Sequence, residues 1–228
     1  MKILLTCEHG GNEIPLEYQK YFKNAGNVLN SHRGYDPSAL NLFCFLKDLA
    51  DVGHYSTTSR LLIELNRSLH HPKLFSEFTK NISSEEKNSL VDLFYLPYRN
   101  SVEAWISEIL EKGEKVIHVS VHSFSPEVDG IVRNADVGLL FDPSKTEEKK
   151  FCKILKKQLL LARPQFKVRF NYPYLGKADG FTTYLRKKFP HNYAGIELEI
   201  NQNFSDKNQM DVALKDGIFL ALKNSLKI

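Results

Sequence analysis

Two hydrophobic periods alternate along this chain, and the points where one gives way to the other mark its elements. Ile3 to Cys7 is an apolar run of strand length. Lys115 to His122 alternates with period two, placing His118, Ser120 and His122 on one face. Val137 to Phe141 and Val168 to Phe170 read as further short strands, and His54 to Arg67 as one or two more. Along Ala194 to Gln202, Ile196, Leu198 and Ile200 point one way while Glu197 and Glu199 point the other.

Helical spacing takes over between these runs. Leu16 to Asn24 forms a short aromatic-rich helix. Leu40, Phe43, Leu46 and Leu49 make an apolar stripe, with Asp36 placed as N-cap and Pro37 at the first helical position. Ser83 to Glu86 opens a helix with acids in its first turn; it breaks near Pro97 and restarts through Trp105 and Ile109 to Gly113. Further helices are expected from Thr146 to Leu161, briefly through Arg186, and from Lys207 to Leu226. Residues 68–82 and 171–180 lack either period and read as loops, the second of the kind that covers sites. Strands alternating with helices predict an α/β, three-layer fold, and the lack of repeats or linkers predicts one domain over residues 1–228.

Composition changes this picture little. Hydrophobic residues at 42% and charged residues at 25% are ordinary globular values, and the net charge is only +4. Lysines of amphipathic helices, such as Lys145 to Lys157, supply part of that charge. No basic cluster is interleaved with aromatics, so nucleic acid is not an expected partner, and a small acidic molecule fits better. Met1 to Cys7 faintly imitates a lipoprotein signal, but its apolar region is too short, so it reads as the first strand. No segment has the length of a membrane span. Cys7, Cys44 and Cys152 are scattered, odd in number and set among apolar residues, which predicts free buried thiols and a cytoplasmic setting.

The candidate chemistry gathers at strand ends. Cys7-Glu8-His9-Gly10-Gly11-Asn12-Glu13 follows the first strand, where open α/β sheets place their sites and where paired glycines let backbone approach a ligand or metal closely. A polar turn is the plainer alternative. His118, in mid-strand, reads as a hydrogen-bonded core residue, whereas His122 ends its strand. Two acids on one face of a core strand, Glu197 and Glu199, need a partner or a purpose. Arg60 and Arg67, with Asn66 beside the second, form an anion-reading set if they converge and a surface ion-pair cluster if they do not. Two histidines and a carboxylate, with one position open, are the ligands of a catalytic zinc site. A further glutamate can take a proton from water, and an arginine can hold an oxyanion.

In Cys7 to Pro15 (CEHGGNEIP), His32 to Leu40 (HRGYDPSAL), Ser59 to Ser68 (SRLLIELNRS), Val121 to Pro126 (VHSFSP), Asp136 to Pro143 (DVGLLFDP), Asn171 to Phe189 and Tyr193 to Gln202 (YAGIELEINQ), the chain resembles the N-formylglutamate amidohydrolase family. The resemblance implies relatives among zinc carboxypeptidases and aspartoacylases, and a mixed central sheet flanked by helices, phosphorylase/hydrolase-like in class. It implies a metal-dependent hydrolase, with Zn2+ or another divalent metal, that cleaves a small acidic N-acyl amino acid such as N-formylglutamate. Glu64 to Arg67 is similar to the aspartoacylase Asp-Leu-Asn-Arg motif, implying that Asn66 and Arg67 bind a substrate carboxylate and that Arg60 polarises the carbonyl. The implied metal ligands are His9, Asp36 and His122, with Glu13 as the alternative to Asp36. Glu199 fits the register of the implied base and Glu197 that of a partner behind a metal-bound histidine. Lys177, Asp179, Thr182 and Arg186 match a loop that lines the family's pocket, and Lys177 and Arg186 are taken as substrate-binding. A non-catalytic module that keeps the fold and reads an anion with Arg60 and Arg67 is the alternative function.

Overall fold

The computed structural model describes residues 1–227. Its elements run β1 (Lys2–Cys7), α1 (Gly26–Leu29), α2 (Ala39–Leu46), β2 (Val52–Tyr55), α3 (Ser84–Leu90), α4 (Leu96–Glu111), β3 (Val116–Phe124), β4 (Glu127–Val128), β5 (Ile131–Val132), β6 (Val137–Leu140), α5 (Thr146–Ala162), β7 (Val168–Phe170), α6 (Phe181–Lys188), β8 (Tyr193–Asn201), β9 (Ser205–Asp206), β10 (Gln209–Met210) and α7 (Val212–Ser225). Six strands form one sheet in the order β2-β1-β3-β8-β6-β7. Pairings are parallel except that of β6 with β8, so the sheet is mixed. Helices cover both faces, giving the three-layer α/β architecture that alternation of strands and helices predicts.

The two faces of the sheet differ in chemistry. Ile3, Leu5 and Cys7, Ile117, Val119 and Val121, and Ile196, Leu198 and Ile200 pack in one apolar core with residues of α2, α5 and α7. By alternation, the opposite face carries Thr6, His118, Ser120, His122, Glu197 and Glu199, and Glu8 continues that face past the end of β1. Apolar residues of α4, of α6 and of the 61–74 segment form a second core on this side with Leu4 and Val116. His118 is fully buried there; its ring bonds Thr6 Oγ1 at 2.7 Å and Tyr193 Oη at 2.7 Å, which is the satisfied core role expected of it.

Several expectations need correction. Of the 54–67 region only His54 and Tyr55 are strand, as the end of β2; residues 59–67 run through turns, because their carbonyls and amides are taken by side chains and by Gly34 and Leu74. Ser83 does cap α3 in a reciprocal box with Glu86, yet the helix does not break at Pro97. A π-turn at Val91–Tyr95 joins α3 to α4, and the wider loop absorbs a proline that lacks an N–H. Asp36 is not the N-cap of α2. Ser38 holds that position with φ 64°, and no side chain caps the helix. The final helix begins only at Val212, after a β9–β10 hairpin. Cys7 and Cys152 are buried but Cys44 is exposed. No helix among the described residues is long and apolar enough to cross a membrane.

Burial pushes the His118 imidazole down to about 4 from 6.5. Between those values the unfolded chain holds a proton that the folded one does not, so stability is expected to fall as pH drops from 6.5 toward 4. The slope from this group is up to about 1.4 kcal/mol per pH unit. His118→Gln should flatten that slope in urea unfolding measured at pH 7 and pH 5; an equal decline in both proteins would contradict the assignment.

Candidate metal and anion site

Because β1, β3 and β8 are parallel, their carboxyl ends lie together at one edge of the sheet. His9 follows β1, while His122 and Glu199 are direct neighbours across β3 and β8. The glycines after β1 serve backbone packing and not ligand approach. A Cβ on Gly10 would stand 2.8 Å from Ser56 O, and one on Gly11 would stand 2.5 Å from Thr57 O. This close passage brings His9 back over the sheet, and Asp36 N donates to His9 O at 2.9 Å.

Asp36, 4% exposed, is the meeting point. Its Oδ2 lies 3.3 Å from His9 Nδ1 and 2.9 Å from His122 Nδ1, and its Oδ1 accepts from Arg60 Nη1 at 3.2 Å. One ligand atom from each of His9, Asp36 and His122 falls within 4.8 Å of the others. The far side of each ring is also held. His9 Nε2 bonds Glu64 Oε1, and His122 Nε2 lies 2.8 Å from Ser120 Oγ and 3.2 Å from Glu8 Oε2. Glu8 is itself fixed by Ser120 Oγ at 2.5 Å and Tyr98 Oη at 3.1 Å.

That arrangement has a charge consequence. Carboxylates at both Nε2 atoms fix the Nε2–H tautomer, so both Nδ1 lone pairs face an acceptor, Asp36 Oδ2. Three buried carboxylates (Glu8, Asp36 and Glu64) face one guanidinium, an excess of two negative charges when both rings are neutral. Either two further protons or one divalent cation relieves this, and the two rings stand only 5.1 Å apart, which disfavours a pair of imidazoliums. The donor set, two imidazole nitrogens and a carboxylate, suits zinc. Without a cation, burial alone would push the Asp36 carboxyl up, but the His9 charge and the bonds from both histidines hold it well below its usual range. Burial would lower the His122 imidazole, and the bonds to Asp36 and Glu8 raise it well above its ordinary value instead.

These residues open on a cavity of about 290 Å3, also lined by Arg60, Asn66, Arg67, Tyr174, Asp179, Glu197 and Glu199. Glu199 is 5% exposed, and its Oε2 is buried with no hydrogen-bond partner among the described residues. Burial pushes this carboxyl up to about 8, so it can hold or release a proton near neutrality. Arg60 spends three N–H bonds on Glu64 and Asp36, which leaves two of its five free. Asn66 Oδ1 accepts from Phe181 N at 2.7 Å, so its Nδ2 remains free to donate into the cavity it lines.

Sequence reasoning and structure part ways at four places. Glu13 is exposed, bonded to Thr57 Oγ1 at 2.6 Å, and stands outside the His9–Asp36–His122 group. Glu197 does not back a histidine; it accepts from Thr182 Oγ1 at 2.8 Å, and Glu8 and Glu64 take the places behind the rings. Lys177 and Arg186 border a separate depression with Lys145 and Lys187. Arg186 is buried against Glu148 at 2.7 Å and bonds Gly176 O and Gly195 O, so its fork is spent on structure. Glu8 was missed, although the alternation Leu4, Thr6, Glu8 and the pairing of Thr6 with Ser120 put it beside His122.

The fold and site thus define an α/β protein whose parallel strands end in a buried pair of histidines sharing one carboxylate, a group that could hold a metal ion, beside a cavity lined by Arg60, Asn66 and Arg67. The family model of N-formylglutamate amidohydrolase matches residues 1–204, and the chain belongs to that family. Among solved structures, a gene product of Agrobacterium tumefaciens superposes with a TM-score of 0.81 at 25% identity, over 99% of this chain and 90% of that one. The N-formylglutamate amidohydrolase of Ralstonia eutropha gives a TM-score of 0.70 at 16% identity, over 100% and 94%, and is similar in fold. No curated protein sequence matches the chain.

Zinc affinity read by competitive titration should fall about 10- to 100-fold in Glu8→Gln and in Glu64→Gln, whose carboxylates orient the rings. Asp36→Asn should lose more, and Glu13→Gln nothing. Loss of affinity in Glu13→Gln with none in Asp36→Asn would contradict this ligand set.

Proposed function

We propose that this protein is a metal-dependent amidohydrolase that cleaves the amide bond of an N-acyl amino acid, with N-formylglutamate as its type substrate. The family match over residues 1–204 supports the reaction class. The observation that carries the mechanism is the buried, unpartnered Glu199 oxygen in the same cavity as the His9–Asp36–His122 group.

His9 Nδ1, His122 Nδ1 and Asp36 would hold the metal, which when bound supplies Lewis acidity to the scissile carbonyl and acidifies water. Glu199 takes the proton from the attacking water as its oxygen adds to the carbonyl carbon. The same carboxyl then passes that proton to the amine nitrogen as the C–N bond breaks, releasing formate and glutamate. A carboxyl poised near neutrality is suited to both tasks. The two uncommitted N–H groups of Arg60 stabilise the negative charge that develops on the carbonyl oxygen, in a pocket where burial strengthens them. Asn66 Nδ2 and the Arg67 guanidinium hold a substrate carboxylate, and the cavity volume suits a molecule of that size. A module that merely binds an anion would have no use for the histidine pair or for Glu199.

Glu199→Gln should lower kcat by about 10^2- to 10^4-fold in metal-loaded protein while leaving metal content and unfolding midpoint unchanged. Turnover within a few-fold of the parent would remove Glu199 from the mechanism. Arg67→Ala should act mainly on KM for N-formylglutamate, by about tenfold or more. An equal loss in kcat with KM unchanged would place Arg67 outside substrate binding.

A further inference from the structure

Asn66 and Arg67 sit in a turn, not on a strand or helix, so something must hold them in place. The peptide planes on either side of the pair are each gripped at both ends. In the plane before Asn66, Leu65 O accepts from Arg99 Nη1 at 3.2 Å and Asn66 N donates to Glu64 Oε1 at 3.0 Å. In the plane after Arg67, Arg67 O accepts from the same Arg99 Nη1 at 3.1 Å and from Tyr95 Oη at 2.7 Å, and Ser68 N donates to Asp179 Oδ2 at 3.1 Å. One guanidinium nitrogen therefore bridges the carbonyls that flank the two residues.

Arg99 itself is an unusual core residue. It is 3% exposed on α4, and its bonds go to carbonyls instead of carboxylates. Its charge is met by aromatic faces: Tyr95, Phe181 and Tyr184 lie 4.8, 4.3 and 4.4 Å from the guanidinium carbon. Phe181 is also the residue whose N–H anchors Asn66 Oδ1. Burying a cation this way is costly, and an apolar side chain would fill the same aromatic slot more cheaply. What an apolar side chain cannot do is bind two carbonyls at once.

From this geometry we infer that Arg99, supported by Tyr95, is a positioning residue for substrate binding: it sets the turn that presents Asn66 and Arg67 to the substrate carboxylate. The inference rests on the carboxylate-holding role given to those two residues above. Lysine at position 99 keeps the charge, but its side chain is one atom shorter and its ammonium falls short of the place from which Arg99 Nη1 meets both carbonyls, so the turn loses its register while the metal ligands and Glu199, which lie on other segments, keep theirs.

The test uses metal-loaded enzyme with N-formylglutamate and its two mono-amides, N-formylglutamine and N-formylisoglutamine. Arg67→Ala first identifies which carboxylate the turn reads, as the one whose amide form shows no rise in KM. Arg99→Lys is expected to copy that pattern, with KM raised about tenfold for substrates keeping that carboxylate and kcat within about threefold. It should add nothing further in the Arg67→Ala background, and calorimetric binding of glutamate should weaken by the same factor. Tyr95→Phe, which keeps the arginine, should shift KM in the same direction by less, and it carries the test if Arg99→Lys does not fold. A raised KM in Arg67→Ala with no change in Arg99→Lys and Tyr95→Phe would overturn the inference alone. So would a uniform loss of kcat across all three substrates, the mark of general structural damage. An unchanged KM in Arg67→Ala would overturn the carboxylate reading, and this inference with it.

Discussion

One buried carboxylate ties the candidate site together. Asp36 receives His9 from the end of β1, His122 from the end of β3 and Arg60 from the turn after β2, all at 2.9–3.3 Å. Ser123 N approaches the same oxygen at 3.4 Å, and the Asp36 backbone bonds His9 O. A carboxylate this deep is stable only when its surroundings return the lost hydration, and removal of one partner leaves a buried charge unmet. The positions of three segments far apart in sequence thus follow from one side chain.

The same constraint explains the unequal faces of the sheet. On the α2, α5 and α7 side, the inward strand positions of β1, β3 and β8 are apolar up to Ser123 near the end of β3, and the packing is ordinary core. On the other side, a polar column runs from Thr6 and His118 through Ser120 and Glu8 to His122, each member bonded to the next layer or to Tyr98 and Tyr193. A buried network of this kind is favourable only when fully satisfied, and among the described residues one buried side-chain atom has no partner: Glu199 Oε2. Unmet polarity at the rim of a cavity is where chemistry is expected, and it stands beside His122 in the strand register.

Much of this was legible in the residues. A short apolar run located β1 and period-two alternation located β3 and β8, to within a residue or two at most ends, and the alternation put His122, Glu197 and Glu199 at the carboxyl side of core strands. The rest was hidden for identifiable reasons. Residues 59–67 look like strand by composition, yet their polar backbone groups are answered by Arg99, Tyr95 and Asp179, long-range partners no local pattern reveals. Asp36 before Pro37 has the form of a helix cap, and only tertiary contact with two histidines turns it inward. Arg186 belongs to a stretch resembling a pocket lining, but it lies on α6, where a buried glutamate on α5, Glu148, captures it. Glu8 and Glu64 escaped notice because their task appears only when the rings they hold are placed.

The central claim is that His9, Asp36 and His122 together hold a divalent metal in working order. Crystals of metal-loaded protein measured on both sides of the zinc absorption edge test it most directly. The account expects one strong anomalous peak in contact with His9 Nδ1, Asp36 and His122 Nδ1, with Glu13 uninvolved. A peak elsewhere, or none at this site in protein that is active and carries zinc, would contradict it.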